Sequence, residues 1–393
     1  MGHKNLRSYS QFSGRIRPFR VMDILSKAKA LESEGKKVIH FEVGESDFNT
    51  AEPIVSAGIK ALKEGKTKYT AAEGLPALRN QISQYYAHIG LDISESRIFV
   101  TSGASSGLML LSALLFNRDD EVFLPDPGYP CNDAFLAQVG AKSTRIHLKA
   151  SEQFGFNTNA LEKLWSSCSK GILLASPSNP LGAVLDKTLL QEIAKFVGRK
   201  DGFFILDEIY QGLVHENGSY SSGLAVSDDL FVINSFSKFF GMTGWRLGWV
   251  VIPSNAAELF SRLAQNLIIS PNAPAQYAAL AAFSKEAMMI HAERAEFFSL
   301  RAKKLSLGLK ELGFEIPLMP QGGFYLYVDI SKFSLSSDEF CQRLLDDFHI
   351  AVTPGTDFGN HEASRYIRFS CTTSEANIEE GLSRLAQAIP FFS

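Results

Sequence analysis

Cysteine is scarce in this chain: four residues of 393, at positions 131, 168, 341 and 371, with no CxxC pair. That spacing excludes a zinc knuckle and argues against a disulfide framework, so all four are expected as reduced thiols. Net charge is nearly absent too, with 39 Lys and Arg against 42 Asp and Glu. A balance of -3 leaves no electrostatic footprint for nucleic acid or an acidic membrane and points to small-molecule partners. Long hydrophobic runs are missing: the most apolar helical stretch, 108–116, is too short to cross a bilayer. Residues 1–6 lack the apolar core of a signal peptide, and Leu6 stands where myristoylation needs Ser or Thr. A cytoplasmic location is expected. The eight histidines include no HExxH, and His361-Glu362 has no second histidine at helical spacing, so no metal is expected. There is no internal repeat and no low-complexity linker.

What is present is a globular composition, 45% apolar and 21% charged, in a chain long enough for two domains. Helical spacing of apolar residues covers 20–35 and a short strand is expected over 38–43, followed by helices over 53–64 and 75–89. From residue 97 short apolar runs alternate with helical segments, the pattern of a doubly wound α/β sheet. Seven strands are expected, at 97–101, 121–124, 142–147, 172–175, 203–206, 230–234 and 247–251, and a helix at 108–116. A long amphipathic helix over 286–312 then leads to strands at 323–328, 350–353 and 366–369 and a helix at 337–348, an α+β unit. The domain expectation is a large domain over 49–285 and a small one built from 1–48 and 286–393.

In open α/β sheets ligands sit beyond the carboxyl ends of the strands, and the residues there are unusual. The first strand is followed by Gly103, Ala104 and Ser105 before a helix, half of an anion cup. The second leads to Tyr129 between two prolines, a ring suited to stacking. The fourth leads to Asn179 beside Pro180, and the fifth to Asp207 with Tyr210 three residues on. The sixth delivers Ser235, Ser237 and Lys238, with Arg246 beyond a Gly-rich bend. Taken singly, these residues read more readily as a turn glycine, a packed aromatic, a β-turn, a helix cap and a solvated lysine. Together they describe a flat pyridine ring bearing an aldehyde, an oxygen, a ring nitrogen and a phosphate. Lysine attacks a carbonyl only when neutral, and free lysine titrates near pH ~10.4. Phe236, Phe239 and Phe240, as apolar neighbours, and Arg246, as a cation, would lower that value.

The run Ser237-Lys238-Phe239-Phe240-Gly241-Met242-Thr243-Gly244-Trp245-Arg246-Leu247-Gly248 resembles the signature of pyridoxal-phosphate (PLP) enzymes of fold type I, in the class I/II aminotransferase family. The resemblance extends from Gly44-Glu45-Ser46-Asp47-Phe48 through Lys68-Tyr69-Thr70 to Arg368. It implies a large doubly wound domain with a seven-stranded, mostly parallel sheet and a small α+β domain. It implies that Lys238 carries PLP as a Schiff base and later serves as the base at the substrate Cα, with Asp207 on the ring nitrogen. Asn179 and Tyr210 would bind the ring hydroxyl, Tyr129 would stack on the ring, and Gly103, Ala104, Ser105, Ser235, Ser237 and Arg246 would hold the phosphate end. Tyr69 would reach the phosphate of a neighbouring subunit in a homodimer. Arg368 would bind the substrate carboxylate, with Gly44 and Asn179 beside it. The implied activity is transfer of an amino group from an L-amino acid to a 2-oxo acid by a ping-pong route.

Two other activities use such a site: a carbon-sulfur β-lyase, and a non-catalytic PLP-binding regulator. The second is disfavoured, because no helix-turn-helix or basic domain is added. One similar bacterial aspartate aminotransferase subgroup has a lysine where Ser105 stands, which puts an acidic substrate in doubt. The segment 15–20 offers both arginines and Phe19 to a substrate side chain, and it leaves acidic and apolar donors open.

Overall fold

The computed structural model describes residues 9–392 apart from 217, 219 and 220. In chain order its strands are β1 (Ile39–His40), β2 (Ile98–Thr101), β3 (Glu121–Asp126), β4 (Lys142–His147), β5 (Ser169–Ala175) and β6 (Phe203–Asp207), then β7 (Phe231–Ser235), β8 (Gly248–Val251), β9 (Tyr325–Asp329), β10 (Ile350–Ala351), β11 (Thr353–Pro354) and β12 (Tyr366–Ser370). All seven strands expected between residues 97 and 251 form, and they make one sheet in the order β2-β8-β7-β6-β5-β3-β4. Only β8 runs antiparallel to its neighbours, β2 and β7. β2, β6 and β8 are apolar along nearly their whole length, as strands covered on both faces are, whereas the edge strand β4 is largely polar.

The remaining strands form two small sheets. β12 lies between β11 and β9 in an antiparallel trio, and β1 pairs in parallel with β10. Of the expected 38–43 strand only Ile39–His40 is regular; beyond it Phe41 still donates its N–H to Ala351 O and accepts from Ser370 N. The expected strand at 350–353 is divided into β10 and β11, which serve different sheets. Residues from both ends of the chain thus share one layer, where Ile39, Phe41, Phe369 and Leu385 are buried together. The helix Lys285–Glu311 runs alongside, its first turn closed by Ser284 accepting from Ala287 N. Among the described residues no helix is long and apolar enough to cross a membrane.

One expected helix boundary moves. The helix read as 108–116 begins at Gly103, so Ala104, Ser105 and Ser106 form its first turn instead of a preceding loop. Ser102 stands at the cap position without making a side-chain cap bond. The first N–H groups of that helix are therefore left facing outward at the carboxyl end of β2, beside β7 and β8.

Candidate active site

Lys238 follows β7 at the head of a loop tied down by its own Thr243 hydroxyl and by that of Thr50. Thr243 Oγ1 donates to Ser237 O at 2.9 Å, Thr50 Oγ1 to Gly241 O at 2.9 Å, and Trp245 Nε1 to Thr50 Oγ1 at 3.1 Å. Phe236, Phe239 and Phe240 turn beneath the loop into a cluster with Trp249, Phe283 and His291. The ring that Lys238 Nζ faces is a different one, Phe324, with 5.9 Å to its centroid. The amine donates to Gly44 O at 2.7 Å. Gly44 has to be glycine, since a methyl group there would lie on the Tyr325 hydroxyl.

Asp207 ends β6 and is 5% exposed. A turn follows it and no helix, so the cap reading falls away. Its Oδ1 accepts Ile209 N–H at 3.0 Å. Burial pushes the carboxyl up to about 7, against the opposing effects of that N–H and of the nearby Lys238 charge. Tyr210 is buried, and its hydroxyl meets that of Tyr325 at 3.0 Å. Burial, the first cause, and the neighbouring Tyr325 hold the Tyr210 phenol well above its ordinary range.

The outward end of the Gly103–Leu115 helix faces Arg246. Gly103 has φ +80°, and a Cβ there would come within 2.8 Å of an Arg246 guanidinium nitrogen. A Cβ on Gly248 would come within 3.0 Å of Ala104 N. Arg246 is itself left-handed at φ 54°, and its Nη1 donates to Thr243 O at 2.9 Å. Ser235 Oγ lies 3.0 Å from both Ser237 Oγ and Ser237 N. Ser106 Oγ is buried with no hydrogen-bond partner among the described residues. Small residues, free N–H groups, hydroxyls and a guanidinium converge here, the composition of an anion cradle. Ser105 is half-buried in the same helical turn.

Arg368 occupies the central strand of its sheet, not an edge as its type alone would suggest. The register places it opposite Thr353 and Tyr327, and on the same face as Tyr325 two residues along. Its guanidinium is sandwiched between Tyr325, 4.2 Å to the centroid, and Phe358, 4.7 Å. Nη1 donates to Asn179 Oδ1 at 2.8 Å and Nη2 to Glu42 O. Nε is buried and has no partner among the described residues. A buried guanidinium fixed on two donors with another unspent is built to receive a carboxylate.

The family model for aminotransferase class I and II matches residues 36–385. This chain belongs to the class I and II aminotransferases. It is 40% identical over 373 residues to a (5-formylfuran-3-yl)methyl phosphate transaminase of Methanocaldococcus jannaschii, covering 94% of this chain and 96% of the relative. It is 31% identical over 377 residues to a valine–pyruvate aminotransferase of Mycobacterium tuberculosis, covering 95% and 97%. A crystal structure of an aminotransferase from Mycobacterium tuberculosis superposes with a TM-score of 0.95 at 30% identity, over 98% of this chain and 100% of that one. The aminotransferase is therefore a PLP-dependent enzyme of fold type I, as its signature run implied.

Lys238 and Asn179 lie just beyond β7 and β5, Asp207 ends β6 with Tyr210 three residues on, whereas Arg368 sits in the middle of β12 and Gly44 four residues past β1. Sequence reasoning passed over Tyr325, Phe358, Thr353 and the Glu42 carbonyl, which surround Arg368. Tyr69 stands apart from the other residues, 82% exposed, and Tyr129 is half-buried with its ring 6.2 Å from Phe19 in an edge contact.

Proposed function

We propose that PLP is held at Lys238 and that an L-amino acid is bound with its carboxylate on Arg368. The observation that carries this reading is that Lys238 Nζ and Arg368 Nη2 are held by carbonyls two residues apart, Gly44 O and Glu42 O. The residues present fit the cofactor: a primary amine, a buried carboxyl for the ring nitrogen, and an anion cradle closed by Arg246. When bound, the cofactor supplies an aldehyde that exchanges for an amino group and a conjugated ring that draws electrons from Cα.

The chain's own residues do the rest. Asp207, ionised against a cationic ring nitrogen, holds that nitrogen's proton. Tyr210, fixed by Tyr325, and Asn179, whose Oδ1 is taken by Arg368 and whose Nδ2 is left to donate, serve the ring hydroxyl. Gly103, Ala104, Ser105, Ser235, Ser237 and Arg246 take the phosphate. Arg368 fixes the substrate carboxylate, which limits the directions open to the Cα–H bond. Lys238, as a neutral amine, carries the Cα proton. The second half-reaction returns the amino group to a 2-oxo acid, giving ping-pong kinetics.

We further infer a donor with an apolar or aromatic side chain. Arg17 is engaged by Asn360 at 2.9 Å and Arg20 by Asp338, while Phe19 is turned toward Tyr129. The exposed Tyr69 supports a homodimer in which it serves the partner's phosphate, and the division into a large part over 49–285 and a small one from both termini goes with the sheet arrangement. The test is a half-reaction screen, mixing holoenzyme with each amino acid and following loss of the visible cofactor band. Leucine, methionine or phenylalanine is expected to react faster than aspartate or glutamate; faster turnover of the acidic pair would overturn the side-chain assignment.

A further inference from the structure

Three successive carbonyls in the segment 42–44 are spent on side chains of the site. Glu42 O accepts from Arg368 Nη2 and from Thr353 Oγ1 at 3.1 Å. Val43 O accepts from Thr372 Oγ1 at 2.8 Å, and Gly44 O from Lys238 Nζ at 2.7 Å. The carbonyl that holds Arg368 is that of Glu42, two residues ahead of the one that holds Lys238.

The charged side chain in the segment is Glu42, and it is fully buried, at 0% exposure. A buried carboxylate is costly unless paired. Its Oε1 lies 2.8 Å from His40 Nδ1, and its Oε2 has no hydrogen-bond partner among the described residues. The other ring nitrogen, His40 Nε2, lies 3.1 Å from Glu32 Oε1 on the helix Arg20–Ser33. Serving two carboxylates takes an N–H on both ring nitrogens, which only the imidazolium has. The hydrogen bond to Glu42 leads the causes that raise His40 to about 9, with burial opposing. Glu42 from its own segment and Glu32 from the packed helix are the charged groups that face this ring.

We propose that Glu42, paired with protonated His40, is a positioning residue that sets Arg368 for the substrate carboxylate. It acts through its own backbone carbonyl and touches neither substrate nor cofactor. This rests on the reading of Arg368 as the carboxylate anchor.

The test uses holoenzyme and a carboxylate without an amino group, the tighter binder of 3-phenylpropionate and succinate, with its Kd measured from pH 7 to pH 10. His40→Leu is expected to weaken binding and raise KM about tenfold, with kcat changed less than about threefold. His40→Gln keeps a donor for Glu42 without charge, so it should recover most of the loss at pH 7. Wild-type affinity should fall as pH passes about 9, and the His40→Gln profile should lack that fall. Should His40→Leu not fold, Glu42→Gln carries the same comparison. Wild-type Kd and an unchanged pH profile in these variants would overturn the proposal. Arg368→Lys separates the two readings: if it leaves Kd unchanged, the carboxylate anchor itself is wrong, whereas if it alone weakens binding, only the positioning role falls.

Discussion

Arg368 Nη1 donates to Asn179 Oδ1 at 2.8 Å, a side-chain bond across 189 residues of sequence that joins the turn after β5 to the middle of β12. On the function proposed above, this bond would orient the asparagine toward the cofactor ring, while the unpartnered Arg368 Nε would be kept for a carboxylate. Arg368→Lys cannot reproduce this fork. Its expected cost is about 3 kcal/mol, on the order of a hundredfold in kcat/KM for every amino donor, carried by KM. Steady-state kinetics with an acidic and an apolar donor check it, and a loss confined to acidic donors would contradict the role.

Gly44 and Tyr325 approach so closely that no side chain fits between them. Gly44→Ala is expected to displace the Tyr325 hydroxyl, releasing Tyr210 and tilting the Phe324–Tyr325 corner beside Lys238. Activity should fall at least about a hundredfold, as when catalytic groups are misplaced by ~1 Å. Gly44→Ala/Tyr325→Phe, which removes the colliding oxygen, should regain part of it.

Much of this was legible from local pattern. Seven strand positions, the lysine and the strand-end residues are encoded by short apolar runs and the turn chemistry that follows them. Arg368 was legible as a residue but not in its setting: its central position comes from β9 and β11 pairing on either side. Tyr325 and Phe358 were missed for the same reason, since aromatic residues in or near strands carry no local mark of stacking on a guanidinium. The helix beginning at Gly103 was placed five residues late, because Gly103 to Gly107 lack the apolar spacing on which the reading relied, and burial against β7 and β8 stabilises that turn instead.

Asp207 makes the cofactor-free protein sensitive to pH. Its folded-state pKa of about 7 lies above the unfolded value near ~3.9. Between these two values the native state binds more protons, so stability falls as pH rises through that window and levels off above it. Asp207→Asn should remove this slope: the cofactor-free variant gains stability over the wild type at pH 8 and little at pH 4, as denaturant melts at the two values would read. The same variant with cofactor should lose about a hundredfold or more in kcat, since a neutral amide cannot hold the ring nitrogen's proton.

Gly103→Ala places a methyl group against the Arg246 guanidinium at a backbone φ of +80°. Weaker cofactor retention is expected, about tenfold or more in Kd from loss of one charge-assisted phosphate contact. Dialysis followed by titration with PLP measures it; inorganic phosphate should protect the wild-type cofactor-free protein against heat more than the variant.

The central claim is that Lys238 carries the cofactor covalently. Borohydride reduction of the purified holoenzyme, followed by peptide mapping, reads this directly. One phosphopyridoxyl group per chain is expected on the peptide containing Lys238, and none on Lys238→Ala. A label on another lysine, or equal labelling of the variant, would contradict it.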